Sequence, residues 1–88
     1  MTEHLPIGTV VRLKSVEKKI MIYGHRQTSS TNGEEYSYVG CPYPEGYLAP
    51  EYNLAFNNHL IEEILFKGYY DTENEHFLNY LNAISKTN

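Results

Sequence analysis

Hydrophobic and polar residues alternate along the first half of the chain, in the period-2 pattern typical of β-strands. The segment Thr9–Val16 places alternate apolar side chains on one side of an extended backbone, which predicts a half-buried strand. The β-branched and aromatic run Lys19–Tyr23 predicts a second strand, paired with the first as a hairpin. The polar segment Arg26–Gly33 predicts an exposed turn, and Glu35–Cys41 alternates again and indicates a third strand.

The middle of the chain loses this alternation. The segment Pro42–Pro50 contains three prolines, which fix φ and remove backbone donors, so we expect a structured loop there. Asn57 or Asn58 can cap a short helical turn that runs to Glu63. The apolar and aromatic run Ile64–Tyr70 then predicts a fourth strand.

The last part of the chain predicts an amphipathic helix. Thr72 and Glu75 have the spacing of a capping box, in which each side chain bonds the other's backbone amide at a helix start. From that start Phe77, Leu81 and Ile84 recur at helical spacing and form an apolar stripe, flanked by Leu78 and Tyr80. We expect this stripe to pack against another element.

The order of the predicted elements defines the expected fold. A chain of 88 residues has room for one hydrophobic core and shows no repeat or linker, so we expect a single domain over residues 1–88. Strands followed by one helix predict an α+β domain: a small antiparallel β-sheet or SH3-like barrel of about four to five strands with a C-terminal α-helix. A parallel sheet would need strands that alternate with helices.

Cysteine content and hydropathy indicate the compartment. The single cysteine cannot form an internal disulfide, which favours a reducing environment. No apolar run approaches the roughly 20 residues of a membrane span, and the N-terminus lacks the basic and then apolar order of a signal peptide. We therefore expect a cytoplasmic protein that does not insert into a membrane.

Charge is distributed unevenly along the chain, whose formal net charge is -4. Residues 1–33 carry five bases and two acids, whereas residues 34–88 carry two bases and nine acids. This balance gives weak support for nucleic-acid binding and fits a basic or mixed protein partner better. A small nucleic-acid-binding barrel stays open as an alternative. Its contacts would come from Arg12, Lys14, Lys18, Lys19 and Tyr23.

No residue pattern points to catalysis. Cys41 has no base nearby in the sequence to lower its pKa, so a structural role is the better interpretation. His4, His25, His59 and His76 lack the local spacing of zinc ligands. Phosphate-binding glycine loops and nucleophile motifs are absent from the sequence. We therefore expect a protein without catalytic residues, metal or cofactor, and not an enzyme.

Tyrosine is the compositional outlier, with 9 residues in the chain. Tyrosine offers a large rigid contact area with a polar tip, which suits binding surfaces. A proline-stiffened loop loses little entropy on binding, so its side chains are the candidate partner-binding residues. The alternative is that these rings only cover the end of the core. The candidates are Tyr43, Pro44, Glu45, Tyr47 and Tyr52.

Five segments, in their order and spacing, resemble the DUF4176 family of small proteins from Gram-positive bacteria. The most specific of them is the Y-x-Y-V-G-C-x-Y-P-E-G block. The segments are Pro6–Val11, Lys18–Ile22, Tyr36–Gly46, Phe56–His59 and Phe66–Tyr69.

The resemblance implies a function in secretion. Members of this family are encoded beside type VII secretion components and LXG-type toxins, which implies a cytoplasmic accessory protein or targeting chaperone whose partner is such an effector or a secretion component. An immunity protein that neutralises a neighbouring toxin domain is the alternative. An unpaired sheet edge would also allow a homodimer.

Overall fold

The computed structural model describes residues 4–28 and 32–85, with the backbone alone for residues 84 and 85. The elements, in chain order, are the strands β1 (Val10–Leu13), β2 (Ile20–Thr28) and β3 (Glu35–Pro42), a 3-10 turn (Pro50–Tyr52), β4 (Leu54–Phe56), a second 3-10 turn (Asn58–Leu60), β5 (Ile61–Phe66) and helix α1 (Thr72–Ser85).

The five strands form one antiparallel sheet in the order β4-β3-β2-β1-β5. Residues 57–60 connect the two edge strands. The edges of a flat five-stranded sheet would lie about 19 Å apart, and this short connection contains a compact 3-10 turn, so the sheet must curl to bring its edges together. In the described residues β4 and β5 do not pair with each other, so the sheet is open. The predicted small antiparallel sheet with a C-terminal helix is confirmed.

The concave face of the sheet holds the hydrophobic core. Cross-strand register aligns Val11 with Ile20, and Tyr38 with Phe56. Residues opposite each other on neighbouring strands point to the same face, so these pairs build the core layer by layer. Its buried members are Leu5, Val11, Leu13, Ile20, Ile22, Tyr38 and Phe56.

A second row of apolar residues lies on the opposite, convex face. Register places Phe66 beside Val10, Val10 beside Met21, and Met21 beside Cys41, so one row crosses β5, β1, β2 and β3. Val10 and Cys41 are buried, whereas Phe66 is 62% exposed. Both faces of the sheet are therefore partly apolar.

The structure corrects several predicted element boundaries and adds one short strand. β2 continues to Thr28, so the first part of the predicted Arg26–Gly33 turn is strand; residues 29–31 of that turn lie outside the described residues. The predicted helical turn ends at Leu60 and has no side-chain cap from Asn57. β5 occupies residues 61–66 in place of Ile64–Tyr70, and the short β4 was not predicted.

The helix start also differs from the prediction. Asp71 caps α1, because its carboxylate accepts a hydrogen bond from the Asn74 amide at 2.9 Å. The Asp71 carbonyl accepts the first helical bond, from the Glu75 amide at 2.9 Å. The predicted capping box at Thr72 is therefore wrong by one position, because an aspartate one residue earlier already supplies the cap.

The apolar stripe of α1 is also rotated relative to the prediction. Leu78 and Leu81 are buried, whereas Phe77 and Tyr80 are about half exposed. The side chain of Ile84 lies outside the described residues. The helix packs beside the N-terminal segment, where His4 Nδ1 lies 3.0 Å from Asn82 Oδ1.

The buried hydroxyl of Tyr38 connects three parts of the chain. It accepts a hydrogen bond from the Leu5 amide at 2.9 Å and donates one to Asn58 Oδ1 at 2.7 Å. The N-terminal segment, β3 and the second 3-10 turn are thus joined through one side chain. Buried polar groups need such partners, so this residue specifies the packing of all three.

Candidate functional site

The first part of the loop between β3 and β4 is held in place by hydrogen bonds and an ion pair, in agreement with the structured loop that its prolines predict. The Tyr43 amide donates to the Lys19 carbonyl at 2.9 Å, and the Gly46 amide donates to the Pro42 carbonyl at 2.7 Å. Lys18 Nζ lies 2.7 Å from a Glu45 carboxylate oxygen. This ammonium, through its hydrogen bond, is the main cause that holds the pKa of Glu45 below its ordinary value. The loop therefore presents its side chains from an ordered backbone.

Tyr23, on β2, contacts two residues of the loop. Its ring meets the Tyr47 ring edge to face at a centroid distance of 6.0 Å, and its hydroxyl accepts a hydrogen bond from Asn53 Nδ2 at 2.8 Å. Burial, followed by the neighbouring Tyr47 and Cys41, raises the pKa of Tyr23 above its ordinary value. The ring contact spans from the sheet to the loop, and it leaves much of both rings at the surface.

An apolar groove of about 580 Å³ opens on the convex face beside Tyr43. Among the described residues that line it, Lys19 is the one that is charged. Cys41 pairs with Met21 across the two strands and also lies close to the Tyr23 hydroxyl, so the Tyr23–Tyr47 pair continues the same face. We call this whole surface the outer aromatic face. It consists of Gly8, Val10, Lys19, Met21, Tyr23, Tyr43, Tyr47, Leu65 and Phe66.

A second groove, of about 420 Å³, lies on the other side of the loop. Its floor includes the core residue Ile20, and its rim carries exposed apolar side chains and two carboxylates. We call it the acidic groove. It is lined by Val16, Lys18, Ile20, Pro42, Glu45, Leu48, Glu51, Tyr52 and Leu54.

The structure places four of the five predicted partner-binding residues on two different surfaces. Tyr43 and Tyr47 belong to the outer aromatic face, whereas Glu45 and Tyr52 line the acidic groove. Pro44 is exposed between them and lines neither groove. The loop is therefore the boundary of two surfaces.

Sequence reasoning missed several residues of both surfaces. Phe66 and Leu65 fall within the predicted strand Ile64–Tyr70, and Leu48 and Leu54 are not among the predicted partner-binding residues. Phe66, Leu48 and Leu54 are exposed in the structure. The sequence signal for Leu48 and Leu54 is that both are apolar residues in or beside the proline-rich loop. The exposure of Phe66 has no such local signal, because it depends on how β5 pairs with β1.

Burial changes the ionisation of two side chains, Cys41 and His25. Burial raises the pKa of the Cys41 thiol, which disfavours the thiolate. His25 Nε2 lies 2.6 Å from the Leu5 carbonyl oxygen. The pKa of His25 is below its ordinary value, and burial is the main cause. Within residues 4–28 and 32–85 no three His, Cys, Asp or Glu residues are grouped as a metal ion would require. No helix in those ranges has the length and apolar character to span a bilayer.

The fold and its two surfaces define a small α+β protein, a curled antiparallel sheet with one C-terminal helix. The sequence profile of one family, described as Domain of unknown function (DUF4176), matches residues 4–77. The chain belongs to the DUF4176 family, which confirms the resemblance. Comparisons with curated proteins and with solved structures find no significant match.

Proposed function

We propose that this protein is a non-enzymatic, cytoplasmic accessory protein that binds another protein through its outer aromatic face. The partner is an LXG-type effector of a type VII secretion system, for which the protein acts as a targeting chaperone or adaptor. The proposal rests on one observation: an ordered loop and an open sheet face together expose Tyr43 and Phe66 around an apolar groove, with the exposed Tyr47 beside them against Tyr23. Exposed aromatic residues on a rigid surface are characteristic of protein-binding hot spots.

The form of the sheet edges favours docking on this face over addition of a partner strand. β4 has three residues, and the register of β5 with β1 shifts twice. Short strands and bulges are the features by which proteins protect sheet edges from pairing with other chains. Side-chain contacts on the outer aromatic face are therefore the better mode of binding.

The experiment is co-expression of the tagged protein with its encoded effector, followed by pull-down and titration of the purified pair. Tyr43→Ala with Tyr47→Ala should weaken binding at least about tenfold, as expected for hot-spot aromatic residues. Phe66→Ala should act in the same direction. The matched control is Tyr69→Ala, because Tyr69 is 78% exposed and lines neither groove.

The outcomes separate the competing functions. Capture through the N-terminal region of the effector supports the targeting role, whereas capture through the toxin domain, with protection of cells that express that domain, would assign immunity. Equal loss of binding for Tyr69→Ala and the loop variants would overturn the surface assignment. Absence of any protein partner would overturn the function itself.

A further inference from the structure

We infer that the acidic groove is a second docking site, and that it takes a basic amphipathic peptide segment: apolar side chains seated in the groove, flanked by lysine or arginine. This site is separate from the outer aromatic face and does not depend on the function proposed for that face. The two surfaces share the loop between β3 and β4, but they have different chemistry.

The apolar part of the inference follows from exposure. Leu48, Tyr52 and Leu54 are 55%, 57% and 38% exposed, and they surround a groove whose floor reaches Ile20. When a partner's apolar side chains pack against large apolar side chains grouped around a concavity, apolar surface is removed from water and the free energy of the complex is lowered.

The negative charge of the acidic groove favours a ligand whose flanking residues are basic. Its one lysine, Lys18, is already paired with Glu45 at 2.7 Å. Glu51 lies on the same groove, and no base within the described residues is at ion-pair distance from it. With Glu45 compensated by Lys18, the described part of the groove keeps one uncompensated negative charge, that of Glu51, on the face that an approaching chain meets. A basic segment is complementary to it, and an acidic segment is repelled.

The backbone around the acidic groove is ordered by hydrogen bonds before any ligand binds. The amides of Tyr52 and Asn53 donate to the carbonyls of Ala49 and Pro50 at 3.0 and 3.1 Å, which closes the 3-10 turn that carries Glu51 and Tyr52. A ligand therefore meets side chains on an ordered turn, and little backbone entropy is lost when it binds.

The probe for this inference is a fluorescein-labelled amphipathic peptide composed of leucine and lysine, compared with the same peptide carrying glutamate in place of lysine. Fluorescence anisotropy should show binding of the lysine peptide to the full chain, and binding of the glutamate peptide weaker by about tenfold or more. Glu51→Lys, which replaces an attraction with a repulsion, should weaken binding of the lysine peptide about fivefold. Leu48→Ser should also weaken it.

The control is Glu62→Lys, which makes the same change of charge on β5 at an exposed residue outside the groove. Its effect should stay below about twofold, because an exposed charge outside the groove is screened by salt. Equal weakening by Glu51→Lys and Glu62→Lys, equal binding of the two peptides, or no binding of the lysine peptide would each overturn the inference.

The same variants separate this inference from the proposed function. If effector capture is lost with the outer-face variants while the lysine peptide still depends on Glu51, both surfaces operate independently. If effector capture persists and the lysine peptide does not bind, the second site fails and the proposed function stands. If the lysine peptide binds through Glu51 and no effector is captured, the groove stands and the proposed function fails.

Discussion

The phenol rings of Tyr23 and Tyr47 meet edge to face, with an interplanar angle of 78°. This contact joins the centre of β2 to a loop residue far along the chain. It is the point at which the ordered loop is coupled to the sheet, and it brings Tyr47 to the outer aromatic face.

The coupling between these two rings is measurable. Aromatic pairs contribute about 0.5–1.5 kcal/mol beyond area burial, and the exposure of both rings places this pair near the lower end. We expect a double-mutant cycle of Tyr23→Ala and Tyr47→Ala, followed by urea unfolding, to give a coupling free energy of about 0.5 kcal/mol. Additive single effects would show that the rings are neighbours without interaction.

Removing the hydroxyl of Tyr38 should destabilise the fold. In Tyr38→Phe the buried Leu5 amide loses its acceptor and Asn58 loses its donor, and an unsatisfied buried group costs about 1–3 kcal/mol. We expect the free energy of unfolding to fall by about 2 kcal/mol in urea denaturation. Tyr36→Phe is the matched control, because the Tyr36 hydroxyl has a 3.5 Å contact with Asn32 at the surface. A similar loss in both variants would contradict the role given to Tyr38.

Because Asp71 caps α1, substitutions of Asp71 and Thr72 should have different effects on stability. Replacement of an N-cap residue by alanine typically costs about 1 kcal/mol, so Asp71→Ala should lower the free energy of unfolding by that amount. Thr72→Ala should change it by less than about 0.5 kcal/mol, because the structure places Thr72 inside the helix and exposed. Urea denaturation of both variants decides this, and a larger effect of Thr72→Ala would restore the capping box.

Stability should depend on the protonation of His25. Burial is the largest cause that lowers its pKa from 6.5, the His4 ring 5.8 Å away acts in the same direction, and the hydrogen bond to the Leu5 carbonyl opposes them. The unfolded chain therefore binds a proton more readily than the folded chain does. The contribution of His25 to stability is present above its unfolded pKa, begins to be lost as the pH falls below that value, and is fully lost once the pH has fallen through the lower pKa of the folded state.

The measurement is the urea midpoint of wild type and His25→Gln at about pH 7.5 and about pH 5.5, on either side of the ordinary histidine pKa. The midpoint of wild type should decrease more on acidification than that of His25→Gln. His76→Gln, which changes an exposed histidine on α1, should behave as wild type. If His25→Gln shows the same acid dependence as wild type, the pH dependence comes from other groups.

Local patterns predicted the elements that have a strong period. The alternation around Val11 and Leu13 reflects the apolar core face of β1, and the prolines of the 42–50 loop restrict the backbone whatever surrounds them. These properties depend on nearest neighbours in the chain. The three strands of the N-terminal half and the ordered loop were therefore predictable.

β4 and the boundaries of β5 depend on distant partners. Leu54–Phe56 is too short to show a period and is a strand because it pairs with Val39 and its neighbours on β3. In β5 the register shifts opposite Val10–Val11 and Arg12–Leu13, which breaks the alternation that would mark a strand. Sequence periodicity has no signal for either feature.

The sequence by itself determined the type of fold, the rigidity of the central loop and the abundance of tyrosine from which a binding role was inferred. Only the tertiary structure decided that Tyr43 and Tyr47 lie on one surface while Glu45 and Tyr52 line another. The reason is physical: the loop crosses the end of a curled sheet. The side that each of its residues faces is set by contacts with Lys18, Lys19 and Tyr23, which lie well before the loop in sequence.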